Sequence, residues 1–162
     1  MKRICANNII EEDVFFGKDV KIGHYNVIEA GVTIGDNVII ENFCEIQKNA
    51  RIGDNVWIRS YSRIGVECVV EDQVIIKCGA IFGPRTLLKR AAFIGPQVIC
   101  TSNLELHETG TILGENSFIG AGTKIMPSIQ IGSDVIIGAQ ALVNRDCLNP
   151  GTYVGVPVRK IK

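Results

Sequence analysis

The chain has 162 residues, 46% of them apolar, with 17 Lys+Arg against 17 Asp+Glu and a formal net charge of zero. That length suits one domain, 1–162. The balanced charge argues against a nucleic-acid partner held by phosphate contacts. No apolar run is long enough to span a bilayer, and the basic start MKRICANNII lacks the apolar stretch of a signal peptide. The expectation is a soluble, cytoplasmic protein with neither a membrane nor a nucleic-acid partner.

From Ile10 the sequence keeps a six-residue beat. Ile10, Phe16, Ile22, Ile28, Ile34 and Ile40 begin a series that runs to Ile94 without one polar residue and ends at Cys100. It restarts at Leu113 and continues through Ile119, Ile125, Ile131, Ile137 and Val143. Four residues after each aliphatic comes a small or β-branched residue, such as Val20, Val38, Ala50, Cys68 or Thr123. Asn26 and Ile129 fit that second position loosely. Between the two inward positions lie corner residues, often Gly-Asp-Asn, as in IGDNVI (34–39) and IGDNVW (52–57).

A period of six excludes a helix face, which repeats near 3.6. It predicts short strands joined by tight corners, where Gly, Asp and Asn accept left-handed backbone at low cost. Three hexads close a triangular coil of about 18 residues, and such coils stack about 4.8 Å apart, the spacing of neighbouring strands. The predicted fold is all-β: a parallel β-helix of about seven to eight coils over 8–148, with a closing segment over 149–162. Trp57 and Ile39 point outward and predict a face covered by another subunit.

Between Cys100 and Leu113 the beat breaks, in the stretch SNLELHETGTI (102–112). The gap of thirteen residues reads as two hexads plus one, a slip of a single residue. With register kept to residue 106, His107 falls above Lys89 and Glu108 above Arg90. The stretch GPRTLLKRAA (83–92) then presents Arg85, Lys89 and Arg90 below the histidine, either as a grip for an anionic acceptor or as a surface Arg90–Glu108 ion pair.

The six cysteines form no CxxC pair, so a zinc or dithiol site is not indicated. Most fall on inward positions as small apolar fillers, which suits a reducing compartment. The only other histidine, His24, follows KIG at an ordinary corner and reads as structural.

The pattern aliphatic-Gly-x-x-small-x resembles the hexapeptide repeat of left-handed β-helix acyltransferases of the sugar O-/N-acetyltransferase type. FIGAGTKIMPSIQIGSDVIIGAQALVNRD (118–146) is similar to their last coils, and NPGTYVGVPVRKI (149–161) to their closing segment. The resemblance implies left-handed winding, a homotrimer with sites between subunits, and transfer of acetyl from acetyl-CoA, with no metal, to a hydroxyl or amine of a sugar or nucleotide-sugar. It implies that pantetheine lies along Gly120, Ala121, Gly138 and Ala139. Asn144, Arg145 and Arg159 would meet the nucleotide end of the coenzyme.

The resemblance also makes His107 the candidate general base, with Asn103, Arg85, Lys89 and Arg90 as candidate acceptor-binding residues. An imidazole suits proton removal near neutral pH. Leu104 stands directly after Asn103, where many relatives carry the histidine. His107 is therefore a base at a shifted position or a solvated histidine; a third reading is an amine acceptor that asks less of any base. Two other function classes are open to the fold. A carbonic anhydrase needs three zinc-binding histidines, and two distant ones do not suffice. A non-catalytic assembly module is the remaining alternative.

Overall fold

The computed structural model describes residues 3–102 and 110–162. Two-residue strands alternate with four-residue corners, and three sheets of ten, eight and seven strands result, parallel except for the outermost strand of the ten, Arg159–Lys160. We name the sheets A, B and C by the order in which each coil visits them. Sheet A carries Lys21–Ile22, Trp57–Ile58 and Phe118–Ile119; sheet B carries Val27–Ile28, Arg63–Ile64 and Lys124–Ile125; sheet C carries Thr33–Ile34, Val69–Val70 and Gln130–Ile131. The eight strands of sheet B mark about eight coils. This is the β-helix predicted from the hexads, and it is consistent with the left-handed winding that the resemblance implies. Coiling already begins at Arg3–Ile4, which pairs with Lys21–Ile22, so it starts earlier than residue 8. No helix is present among the described residues, and so none that could cross a membrane.

The beat has a physical basis at both of its inward positions. The second residue of each strand points inward, and Ile22, Ile28, Ile46, Ile64, Phe82 and Leu88 are fully buried in a single stacked core. The small residues fill the corners of the triangle. Thr86 and Thr123 satisfy their buried hydroxyls on the carbonyls of Gly83 and Gly120. Asn26 is buried rather than misplaced. Its amide group donates to the Glu41 carbonyl at 2.8 Å, and its side-chain oxygen accepts from the Cys44 amide at 2.8 Å.

Corner geometry divides the work of Gly-Asp-Asn. The left-handed residue is the Asn, with φ 56° at Asn37 and 57° at Asn55. Gly35 serves the stacking instead: a Cβ there would lie 2.7 Å from the Gly53 carbonyl carbon of the next coil. The middle residue bonds the coil below. Lys18, Asp36 and Asp54 each donate a backbone N–H to the carboxylate of Asp36, Asp54 and Asp72 respectively, at 2.7–2.9 Å.

Strand pairing measures the break directly. Partners are 18 residues apart below it, as in Ile81↔Ile99, and above it, as in Ile112↔Gln130. Across it they are 25 apart: Leu87↔Ile112, Phe93↔Phe118 and Ile99↔Lys124. Seven residues are therefore inserted, not one, and the expected register to residue 106 does not hold. Seven and one give the same phase in a six-residue repeat, so the beat alone could not separate them.

Four of the six thiols, those of Cys44, Cys68, Cys100 and Cys147, are buried; Cys5 is half-buried and Cys78 exposed. Desolvation pushes the Cys44 and Cys68 thiols up to about 11. A thiol titration of the folded protein at pH 8 is expected to label Cys78 first and the four buried thiols only after denaturant is added. These two raised values also set a pH window. Their contribution to stability is complete below the unfolded value of 9.0 and is lost as pH rises toward about 11. Urea melts are expected to show a falling midpoint over that range.

Candidate active site

The corner between sheets A and B carries the small-residue column. A Cβ on Gly95 would lie 2.7 Å from the Ala121 amide nitrogen, and one on Gly120 would overlap the amide nitrogen of Ala139. The glycines are thus required for coils to approach, and the four residues Gly120, Ala121, Gly138 and Ala139 form one continuous strip. Val154 closes it above, against Gly138.

Low on this corner the amides of His24, Asn42 and Ser60 are bonded by side-chain oxygens of neighbouring coils, those of Asn42, Ser60 and Glu41. From Cys78 upward these partners stop, and the Cys78 amide too has no acceptor among the described residues. Ala139 above Ala121 brings no such oxygen. Among the described residues, the N–H groups of Ala121 and Ala139 have no acceptor, and Ala139 is exposed. An unpaired, accessible donor is a ready partner for a ligand carbonyl. Such donors suit the carbonyls of an amide-bearing chain.

The basic residues are spread more widely. Asn144 and Arg145 are exposed at the B–C corner, one strand (Leu142–Val143) beyond the small-residue strip. Arg159 is exposed on Arg159–Lys160, the antiparallel outer strand of sheet A, opposite Val154. The closing segment connects these regions: Leu142 donates its amide to the Gly155 carbonyl, and Val158 donates to the Leu142 carbonyl.

The insertion interrupts the B–C corner between Ser102 and Gly110. Asn103 and His107 lie outside the described residues. Arg85 belongs to the same corner one coil below: a Cβ on Gly110 would overlap the Arg85 carbonyl, and the Arg85 Nε is 4.0 Å from a Glu67 carboxylate oxygen. Lys89 and Arg90 do not join Arg85. They sit at the C–A corner, beyond the strand Leu87–Leu88. The places above them belong to Gly114 and Glu115, because Leu88 pairs with Leu113. The expected stacking of His107 over Lys89 and of Glu108 over Arg90 is therefore overturned by the length of the insertion.

Sheet A carries a feature that the inward positions do not reveal. Glu41 accepts from the Trp57 indole at 3.1 Å and from the Ser60 amide at 3.2 Å, and is ion-paired with the Arg59 Nε at 2.6 Å. Burial raises its carboxyl, but the donors from Ser60 and Arg59 outweigh this and hold it below its ordinary value. The Arg59 and Lys77 charges lie 4.8 and 5.5 Å from the Trp57 ring centre. Outward residues of the same sheet run apolar in unbroken register: Ile39, Trp57, Ile75, Phe93, Phe118 and Ile136. Their signal in the sequence is a spacing of 18, and of 25 across the insertion.

Among the described residues no group of three or more His, Cys, Asp or Glu is placed to hold a metal. The family model for bacterial transferase hexapeptide (six repeats) matches residues 13–48, 31–66 and 110–145, together more than half of the chain. The chain is 34% identical over 86 residues to a serine acetyltransferase of Synechococcus elongatus, a match covering 49% of this chain and 35% of that protein. It thus spans about a third of that relative's length. Among solved structures, the UDP-N-acetylglucosamine acyltransferase of Campylobacter jejuni superposes with a TM-score of 0.73 at 19% identity, over 98% of this chain and 73% of that one, a likeness of fold. A variant of AntD, an N-acyltransferase from Bacillus cereus solved with dTDP and coenzyme A, superposes with a TM-score of 0.56 at 25% identity, over 99% of this chain and 81% of that one. The repeat, the corner geometry and the family match agree: the chain belongs to the bacterial transferase hexapeptide family.

Proposed function

We propose that the protein is a coenzyme A-dependent acyltransferase that moves an acetyl group from acetyl-CoA to a hydroxyl or amine of a sugar or nucleotide-sugar. The observation that carries this reading is the pair of unpaired amides at Ala121 and Ala139, on a corner kept bare by Gly120 and Gly138. Amide carbonyls of a pantetheine arm would accept from them. The comparison with AntD, whose structure holds coenzyme A, supports the choice of donor. Asn144, Arg145 and Arg159 would receive phosphate oxygens, for which the fixed fork of Arg is well suited.

In this reading His107 removes the acceptor proton as the acceptor oxygen attacks the thioester carbonyl, and the coenzyme leaves as its thiol. Asn103 and Arg85 would hold the acceptor from the insertion and the corner beneath it. Lys89 and Arg90, at another corner, could reach an acceptor only if it extends across the face of sheet C. The apolar outer face of sheet A supports packing of copies into the trimer implied by the family, with sites between subunits. The cytoplasm is the proposed setting, because a core of unpaired cysteines suits a reducing compartment.

Calorimetric titration with coenzyme A tests the reading. Saturable binding with one site per chain is expected. No binding would remove the acyltransferase and leave the assembly module.

A further inference from the structure

The A–B corner carries a second feature, below the Gly/Ala strip. Tyr25, Phe43 and Tyr61 stack along it, with ring centres 5.2 and 5.1 Å apart and planes within 5° of parallel. All three are about half exposed or more. All three also hold positive φ, 58°, 57° and 64°. That backbone is the regular corner of the coil, shared by Gln73, Arg85 and Gln97, so the stacked rings and not the backbone set these three apart.

The ladder stops at Gly79, which continues the column: Tyr61 donates its amide to the Asn42 carbonyl, Gly79 to Ser60, and Gln97 to Cys78. Two other glycines occupy the same corner position, Gly31 and Gly122. There the space of the missing side chain is filled from the coil above, by the Asn49 side-chain oxygen and by the Gln140 amide group. At Gly79 a Cβ would find room, in ordinary contact with the Gln97 Cγ at 3.6 Å. One ring is missing from a ladder whose next level would be Gln97. Two coil steps, roughly 10 Å, separate the levels of Tyr61 and Gln97. One planar group fits between them.

The surroundings select what that group is attached to. The corner segments 59–63, 77–81, 95–99 and 120–124 contain Arg59, Arg63, Lys77 and Lys124 and no Asp or Glu. The nearest carboxylates are already engaged: Glu41 with Arg59, and Glu45, which stands opposite Arg63 and accepts from Gln47. Lys124 is exposed and its amine lies 3.4 Å from the Gln97 carbonyl, at the upper lip of the slot. A flat ring with anionic groups beside it is a nucleotide.

We propose that Gly79 leaves a stacking slot for the base of a nucleotide, which lies on the open face of Tyr61 with its phosphates toward Arg63 and Lys124. The slot stands on the geometry of the ladder; the choice of a nucleotide deepens the function proposed above and rests on that reading. The base belongs either to the acceptor or to coenzyme A, whose groove lies higher on the same corner.

Calorimetry with UDP, GDP, coenzyme A and pantetheine separates the sources. The wild type is compared with Tyr61→Ala, Tyr61→Phe and Gly79→Phe, each checked for an unchanged β-sheet spectrum. Tyr61→Ala is expected to weaken at least one base-bearing probe about tenfold or more, with Tyr61→Phe near wild type and pantetheine unaffected. Gly79→Phe extends the ladder and is expected to abolish the same binding. If it does not fold, the Ala and Phe variants at Tyr61 decide alone. Weakening of UDP or GDP assigns the base to the acceptor; weakening of coenzyme A alone assigns it to the coenzyme. Binding of UDP or GDP through Tyr61 without any binding of coenzyme A keeps the slot and removes the acyltransferase reading. The slot is overturned if no base-bearing probe binds, or if all that bind do so within twofold in Tyr61→Ala.

Discussion

Replacing His107 with alanine is expected to lower acetyl transfer to a hydroxyl acceptor by about 10²–10⁴-fold, the range for a lost general base. Coenzyme A affinity and thermal stability should stay as in the wild type. The reason lies in how the fold closes around the insertion. Leu87, Phe93 and Ile99 pair directly with Ile112, Phe118 and Lys124, so the coil below the insertion bonds the coil above it without help from the intervening segment. The core is likewise continuous, with Leu88 and Leu113 both fully buried. Steady-state rates with matched hydroxyl and amine acceptors check the role. A rate with the hydroxyl acceptor equal to wild type would take His107 out of the mechanism. A large loss with the hydroxyl and a small one with the amine would mean that the amine enters already deprotonated.

Most of the fold is legible in the sequence because one rule repeats at every level. Each hexad offers the same inward aliphatic, so the period can be counted, and Ile22 and Ile137 obey it as Ile64 does. The corners are legible for the same reason: Asn37, Asn55 and Asn116 recur where the backbone turns left-handed. The insertion is legible as a place but not as a length. A repeat of six reports an offset only modulo six, and inserting seven residues shifts the phase just as inserting one does. Columns within one side of the break can be stacked from the sequence, as with Gly120 under Gly138. Columns carried across it cannot, which is why His107 falls over Lys89 on paper where Gly114 stands in the structure. The aromatic ladder escapes the sequence for a different reason. Its residues occupy the corner position, where Asn or Gly is expected, and only the 18-residue spacing of Tyr25, Phe43 and Tyr61 betrays them.

Gly120→Val and Ala139→Leu, compared, are expected to separate what the groove does for the fold from what it does for the ligand. At Gly120 any Cβ overlaps the Ala139 amide nitrogen and would stand 2.7 Å from the Gly138 carbonyl carbon. Both are backbone atoms held in the ladder, for Gly138 donates to the Tyr153 carbonyl at 2.8 Å and Gln140 to the Ala121 carbonyl at 2.8 Å. They cannot swing aside as a side chain would, so the coils must part. A cost of about 3 kcal/mol is expected, at the upper end for overpacking, and coenzyme A binding should fall with the fold. Ala139 is exposed, and a leucine there meets no such wall. Its stability should change by less than about 0.5 kcal/mol. Its branched side chain would nevertheless stand over the open amides of the strip, and coenzyme A should bind at least about tenfold more weakly. Urea melts and calorimetry on the two variants give the four numbers needed. Unchanged coenzyme A affinity in Ala139→Leu would mean that the unpaired amides of Ala121 and Ala139 serve no ligand, and the strip would then be only the narrow seam that stacking requires.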